Sequence, residues 1–247
     1  MPPTDAGPRH VRSMKRYWEE RADLNAAWYV DTTVDWEAPD MERFFATGRR
    51  IVTEALDEAP AGATTPRHHE LAIEIGSGLG RVCAALAERY ERVVGLDVAA
   101  GMVTRAAALV DNPAITFEVS DGTSLRPLPD ACADLVLSFT VFQHVLRPSV
   151  VENYINEAAR VLRPGGVLVF QWNSSTGPIR WWLRRTLLGL LHRTRLHRQS
   201  RDTNAAAFLG TTLTVPRVRR AVDLAGLRMT AMKGEKTLFT WAWAERL

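Results

Sequence analysis

A run of alternating glycines, Glu74-Ile-Gly-Ser-Gly-Leu-Gly80, stands between an apolar stretch, Leu71-Ala-Ile-Glu-Ile75, and a segment whose apolar residues recur at helical spacing. That order constrains the fold more than any other part of the chain. A buried strand must turn sharply into a helix, and glycine reaches backbone angles closed to other residues while letting the main chain approach a ligand. Free amides at the helix N-terminus would suit polar or anionic groups. Structural strand-to-helix turns also favour glycine, so the run alone does not separate a binding turn from a plain one.

Strand and helix signals alternate from this point on. Strands are predicted over 71–75, 92–97, 115–119, 133–139 and 167–172, with helices over 79–90, 99–110 and 149–162 between them. Val82, Ala85 and Leu86 form the inner face of the first of these helices. Arg163-Pro-Gly-Gly166 is expected to close the third. A helix over 215–225, with Pro216 near its start and Gly226 past its end, precedes two final strands over 228–232 and 238–244. Such alternation predicts an α/β fold around a mostly parallel sheet with right-handed crossovers. Residues 11–58 read as two helical stretches, the second over 41–56, and 59–69 is a Pro/Gly/Thr-rich connection. The expected organisation is a helical N-terminal cap over 1–69 and a core over 70–247 that carries a basic insertion at 173–214.

Composition bounds the classes. The 247 residues are 46% hydrophobic and 24% charged, which suits one folded core and not a disordered chain. Cys83 and Cys132 lie far apart without CxxC spacing, which argues against a zinc site or a secreted disulfide framework, so no metal is expected. The opening Met-Pro-Pro-Thr-Asp lacks a signal-peptide pattern and no uncharged apolar run reaches membrane-span length, which predicts a soluble cytoplasmic protein. Net charge is +3, yet residues 178–201 hold seven arginines and no acid, so the basicity is local.

Asp97, at the end of the second predicted strand, adds a second element: a carboxylate that can accept two hydrogen bonds from a ribose diol. Glycine turn, helix, strand and acid form the arrangement that a bound adenosine spans. Arg81 stands where a dinucleotide fingerprint wants its third glycine, which disfavours a nicotinamide-dependent oxidoreductase. Together with Ser120-Asp-Gly122, residues 134–139 and Val161-Leu-Arg-Pro-Gly-Gly166, these pieces resemble the class I S-adenosylmethionine-dependent methyltransferases, small-molecule type, over about residues 71–172. The resemblance implies a Rossmann-like seven-stranded sheet of order 3-2-1-4-5-7-6 with its last strand antiparallel. It also implies roles at the matching positions. Gly76, Ser77 and Gly78 would run beneath the methionine and ribose of S-adenosylmethionine, and Asp97 would hold the ribose hydroxyls. Val98 or Met102 would pack on the adenine, although a helix methionine more often fills the core. Asp121 would face the exocyclic amine with Gly122 and Thr123 alongside, and Phe139 would sit beneath the cofactor, whose product is S-adenosylhomocysteine.

The acceptor side is read from the residues. His144 follows the fourth predicted strand at the sheet edge where ligands bind, and an imidazole suits proton removal near neutrality, so it is the candidate base. The aromatic cluster of Tyr17, Trp18, Trp28 and Tyr29 is expected either to cover the site or to pack a helix, and Arg184 and Arg185 to contact the acceptor. For the arginine-rich stretch the readings are a pocket wall for an acidic acceptor, a membrane-surface helix over 178–201, a nucleic-acid contact ranked last, and a solvated face. The function expected is methyl transfer to a hydroxyl, amine or other nucleophile of a small molecule, in secondary metabolism, by a monomer or homodimer. The alternatives are a non-catalytic S-adenosylmethionine-binding accessory protein and an RNA methyltransferase.

Overall fold

In a computed structural model, which describes residues 8–175 and 210–247, the chain forms seven strands in one sheet with helices on both faces. Two helices, α1 (Arg9–Val30) and α2 (Met41–Leu56), come first. Then follow β1 (Leu71–Ile75), α3 (Arg81–Leu86), β2 (Arg92–Asp97), α4 (Ala100–Leu109), β3 (Ile115–Val119) and β4 (Ala133–Ser138). A short 3-10 turn (Phe142–His144) leads to α5 (Pro148–Val161), β5 (Leu162–Trp172), α6 (Val215–Leu224), β6 (Leu227–Lys233) and β7 (Thr240–Arg246). The strand order is β3-β2-β1-β4-β5-β7-β6, with β7 antiparallel to both neighbours, as the resemblance implies. No helix among the described residues is long and apolar enough to cross a membrane.

The central strands are buried along their whole length, which is why β1 and β4 read as continuous apolar runs and not as alternating ones. Successive side chains still point to opposite faces. Leu135, Leu137, Val167 and Val169 join Trp241 and Trp243 on the face covered by α2 and α3. On the other face Val136, Leu168, Phe170 and Trp172 pack against α5 and α6. Helix α2 spaces Phe44, Gly48, Ile51, Val52 and Ala55 along one stripe, starts where Asp40 accepts from the Arg43 amide, and receives the Trp243 indole N–H on the Ala55 carbonyl at 2.7 Å. The pre-sheet helix is therefore one wall of the main core.

Four boundaries differ from expectation, each for a local reason. Helix α3 is shorter than 79–90 because Gly80 stands in the left-handed region at its start, while Glu88 and Arg89 bond three residues back and tighten its end. Helix α1 breaks at Asn25, whose side chain accepts from the Trp28 amide and donates to the Trp36 carbonyl at 2.6 Å, so its last residues form a separate turn. Strand β5 starts at Leu162 and not at 167, since Pro164 forces Arg163 into extended backbone; the Arg163–Gly166 stretch follows the end of α5 and is at once an irregularity within the strand. The last strand begins at Thr240 because Thr237 caps the preceding turn, accepting from the Phe239 amide and donating to the Gly234 carbonyl.

Gly48 sets how closely α2 can approach the glycine turn. A methyl group there would stand 2.1 Å from the Arg81 carbonyl oxygen, a backbone atom that cannot swing away. Gly48→Ala is expected to lower the free energy of unfolding by about 1–3 kcal/mol, as overpacking does. Urea denaturation measures it, and an unchanged midpoint would mean that the two helices part without cost.

Candidate functional site

The carboxyl ends of β1, β2 and β4 open into one cavity, roofed by α1. From the glycine turn come Gly76, Ser77 and Gly78; from β2 and its sequel come Asp97, Val98 and Met102; from beyond β4 come Phe139 and His144; and Tyr29 comes from α1. These nine residues of the sequence reading therefore meet in a single wall. Asp121, Gly122 and Thr123 lie outside the lining, as do Tyr17 and Trp28, and Arg184 and Arg185 fall outside the described residues. The physical reason for Asp121 is local: its carboxylate accepts from the amides and hydroxyls of Thr123 and Ser124, at 2.7–3.1 Å, in a turn of its own. Those bonds outweigh its partial burial and hold its carboxyl below the usual range. Its neighbour Ser120 reaches the cavity instead, together with Tyr154 of α5.

Tyr17 is buried in the core beneath α1, and Trp28 meets Tyr29 and Trp36 edge-on. Met102 serves both purposes, lining the cavity and packing with Ala22, Ala26 and Leu79. Val30 and Val141 press on the glycine turn: a methyl group on Gly78 would stand 2.8 Å from the first, and one on Gly76 would stand 2.2 Å from the second.

The turn presents backbone without spare donors at four positions. The amides of Gly76 and Ser77 donate to the Leu96 carbonyl, that of Gly78 to Asp97 Oδ2, and that of Gly80 to the Ser77 carbonyl. This corrects the expectation of free amides there and argues against a pyrophosphate, which needs them. Asp97 also accepts from the Ala99 amide at 2.9 Å; burial raises its carboxyl, against the pull of these bonds.

Arg81, read from sequence only as a missing glycine, turns out to bind the whole site together. Its guanidinium pairs with Asp31, donates to Thr47 Oγ1 at 2.7 Å and to the Val30 carbonyl at 3.1 Å, and lies 5.2 Å from the Phe44 ring centre. Glu74 is a second residue whose role sequence did not reveal. It is buried, its one hydrogen-bond donor among the described residues is the Cys83 thiol at 2.9 Å, and burial pushes its carboxyl up to about 8. With the charge of Arg81 engaged by Asp31, the cavity floor presents two carboxyl groups and the buried Ser77 hydroxyl, which has no partner among the described residues. A cationic ligand with hydroxyls fits this set, as S-adenosylmethionine is. His144 stands at the other end, its Nε2 3.3 Å from Gln143 Nε2 and its ring 5.3 Å from Trp18 in an edge-to-face contact.

A family model described as a methyltransferase domain matches residues 73–170. A protein of Mycobacterium avium, described as an uncharacterized methyltransferase, is 33% identical over 166 residues, 67% of this chain and 64% of that one. Against the curated relatives it matches, the chain spans from about a third to just under two thirds of their length. Magnesium protoporphyrin IX methyltransferase from Synechocystis, solved with bound S-adenosylhomocysteine, has a TM-score of 0.59 at 16% identity, covering 95% of this chain and 99% of its own. A protein solved in complex with the Haloferax volcanii Trm112 methyltransferase activator has a TM-score of 0.58 at 18% identity, covering 89% and 96%. At these identities the likeness to the solved structures is one of fold.

The Glu74 carboxyl gives a signed pH dependence. The folded state keeps its proton to about pH 8, whereas the unfolded chain releases it near the ordinary glutamate value of 4.5. Stability should therefore fall as pH rises between those values, by at most about 1.4 kcal/mol per pH unit. Glu74→Gln is expected to flatten that part of a series of thermal melts. An unaltered slope would place the titration elsewhere.

Proposed function

We propose that this chain, which belongs to the class I S-adenosylmethionine-dependent methyltransferases, passes the sulfonium methyl group to an oxygen, nitrogen or other nucleophilic atom of a small-molecule acceptor. One observation carries the reading: the glycine turn after β1, Asp97 at the end of β2 and His144 of the 3-10 turn after β4 line the same cavity at the carboxyl edge of the sheet. S-adenosylmethionine, when bound, supplies an electrophilic methyl carbon and a neutral thioether leaving group. Gly76, Ser77 and Gly78 would support its methionine and ribose, Asp97 would accept from the ribose hydroxyls, and Val98 and Met102 would pack on the adenine. Residues 1–69 serve as the cap and 70–247 as the catalytic unit in this reading.

The protein's own contribution is alignment and exclusion of water. Trp18, Tyr29 and Val30 form the roof, so an acceptor must enter along the end of the cavity where His144 stands. There the imidazole takes the acceptor's proton when the attacking group is a hydroxyl. The flanks of the insertion meet at this end: Leu213 and Thr212 donate to the Asn173 carbonyl, and Gly210 packs on the backbone of Gln143 and His144. That placement supports assigning Arg184 and Arg185 to acceptor selection.

Two variants test the reading by calorimetry and by the appearance of S-adenosylhomocysteine. Asp97→Asn keeps one oxygen for a backbone amide and is expected to weaken cofactor binding by about tenfold, the worth of a charge-assisted bond. Equal affinity in variant and parent would remove Asp97 from the site. His144→Ala is expected to leave cofactor affinity unchanged while lowering turnover by about two orders of magnitude. An unaltered rate and pH profile would take His144 out of the mechanism, and no turnover by the parent with any acceptor would favour an accessory protein.

A further inference from the structure

Two hydroxyl groups in the cavity wall are short of partners. Ser120, just past β3, and Tyr154 of α5 both line the cavity, and they are 7% and 3% exposed. Their oxygens stand 3.5 Å apart, beyond the roughly 2.5–3.0 Å of a good O–H···O bond. Ser120 Oγ accepts from the Gly122 amide at 2.9 Å, so its acceptor side is in use while its proton is not. For Tyr154 the long contact with Ser120 is the one hydrogen bond found among the described residues. Burial pushes its phenol up, so it keeps its proton and stays a donor through neutral and mildly alkaline pH. Phe142 stacks on the Tyr154 ring at 5.8 Å and fixes where that hydroxyl stands.

Position supplies the second observation. The Ser120 amide donates to the Asp97 carbonyl at 2.7 Å, which ties the hydroxyl pair to the strand end from which Val98 and Met102 follow. Those two apolar side chains can hold a ring by its faces but cannot read its polar edge. Asp121, to which the resemblance gives that task, lies outside the lining and spends its carboxylate on the Thr123 and Ser124 donors of its own turn.

We infer that Ser120 and Tyr154 read the polar edge of the cofactor's adenine in place of Asp121, their hydroxyls serving the 6-amine and a neighbouring ring nitrogen. The inference rests on the methyltransferase reading, which supplies the adenine. It also sets a specificity. A carboxylate can only accept, so an edge read by Asp121 would welcome a 6-amino purine and repel a 6-oxo one, whose carbonyl faces the charge. A hydroxyl turns to donate or to accept, so the pair accommodates both purines.

Isothermal titration of wild type, Tyr154→Phe and Ser120→Ala with S-adenosylhomocysteine and with its 6-oxo analogue, S-inosylhomocysteine, tests this. The wild type is expected to bind the two within about threefold of each other, since the same hydroxyls serve both. Tyr154→Phe keeps the ring and its stacking, and it is expected to weaken S-adenosylhomocysteine by about tenfold, the worth of a buried hydrogen bond. Ser120→Ala should weaken it at least as much, because it also strands the Gly122 amide. Wild-type affinity in both folded variants overturns the inference and makes the two hydroxyls part of the packing. Rejection of the 6-oxo analogue by the wild type, by about a hundredfold or more, overturns it as well and returns the edge to a carboxylate. That comparison needs no variant, so it decides the matter even where a replacement fails to fold. Failure of the wild type to bind either compound overturns the methyltransferase reading itself, and the inference with it.

Discussion

Everything above the sheet edge hangs on the buried pair between Arg81 and Asp31. The two residues come from opposite sides of the cavity, one at the start of α3 and one just past α1. Asp31 is held in turn by the Thr33 amide and hydroxyl and by Thr47, so the carboxylate that receives the guanidinium is itself fixed. A pair of this kind adds little net stability over an apolar contact of the same size, because both ions lose their water. What it provides is position. Arg81 also holds the Val30 carbonyl, and Val30 is the residue that closes on Gly78, so the roof is held to the floor at one point.

That pair also shapes the electrostatics of the cavity. With the guanidinium engaged, the remaining ionisable groups of the floor are Glu74 and Asp97, and burial favours the neutral form of each. The backbone amides that would have welcomed an anion are consumed within the turn. Indifference to a phosphate follows from that hydrogen-bond accounting, and a bound cation would favour the charged form of both carboxyls.

What is legible in the sequence depends on main-chain geometry: the positions of the glycine turn, of Asp97 at a strand end and of the successive strands follow from local pattern alone. Long-range side-chain partners were not. Arg81 and Asp31 are 50 residues apart, and no spacing rule links them. Tyr154 was hidden in the apolar stripe of α5, where it looks like one more core residue. Asp121 shows the local case, since the Thr and Ser that follow it offer donors close at hand and its carboxylate accepts from both. The Arg163–Gly166 stretch both follows the end of α5 and lies within β5, since proline and glycine end helices and bend strands alike.

The place of β7 has a consequence for synthesis. It enters the sheet between β5 and β6, so the last strand of the described chain fills an interior position. Its Trp243 completes the layer beneath α2 and donates to Ala55, a residue 188 positions earlier. Until that strand leaves the ribosome, β5 carries an open edge and α2 has no aromatic floor to settle on. A nascent chain therefore carries an unpaired, strongly apolar edge from the emergence of β5 to that of β7, the kind of surface that chaperones hold and that pairs with other chains when they do not.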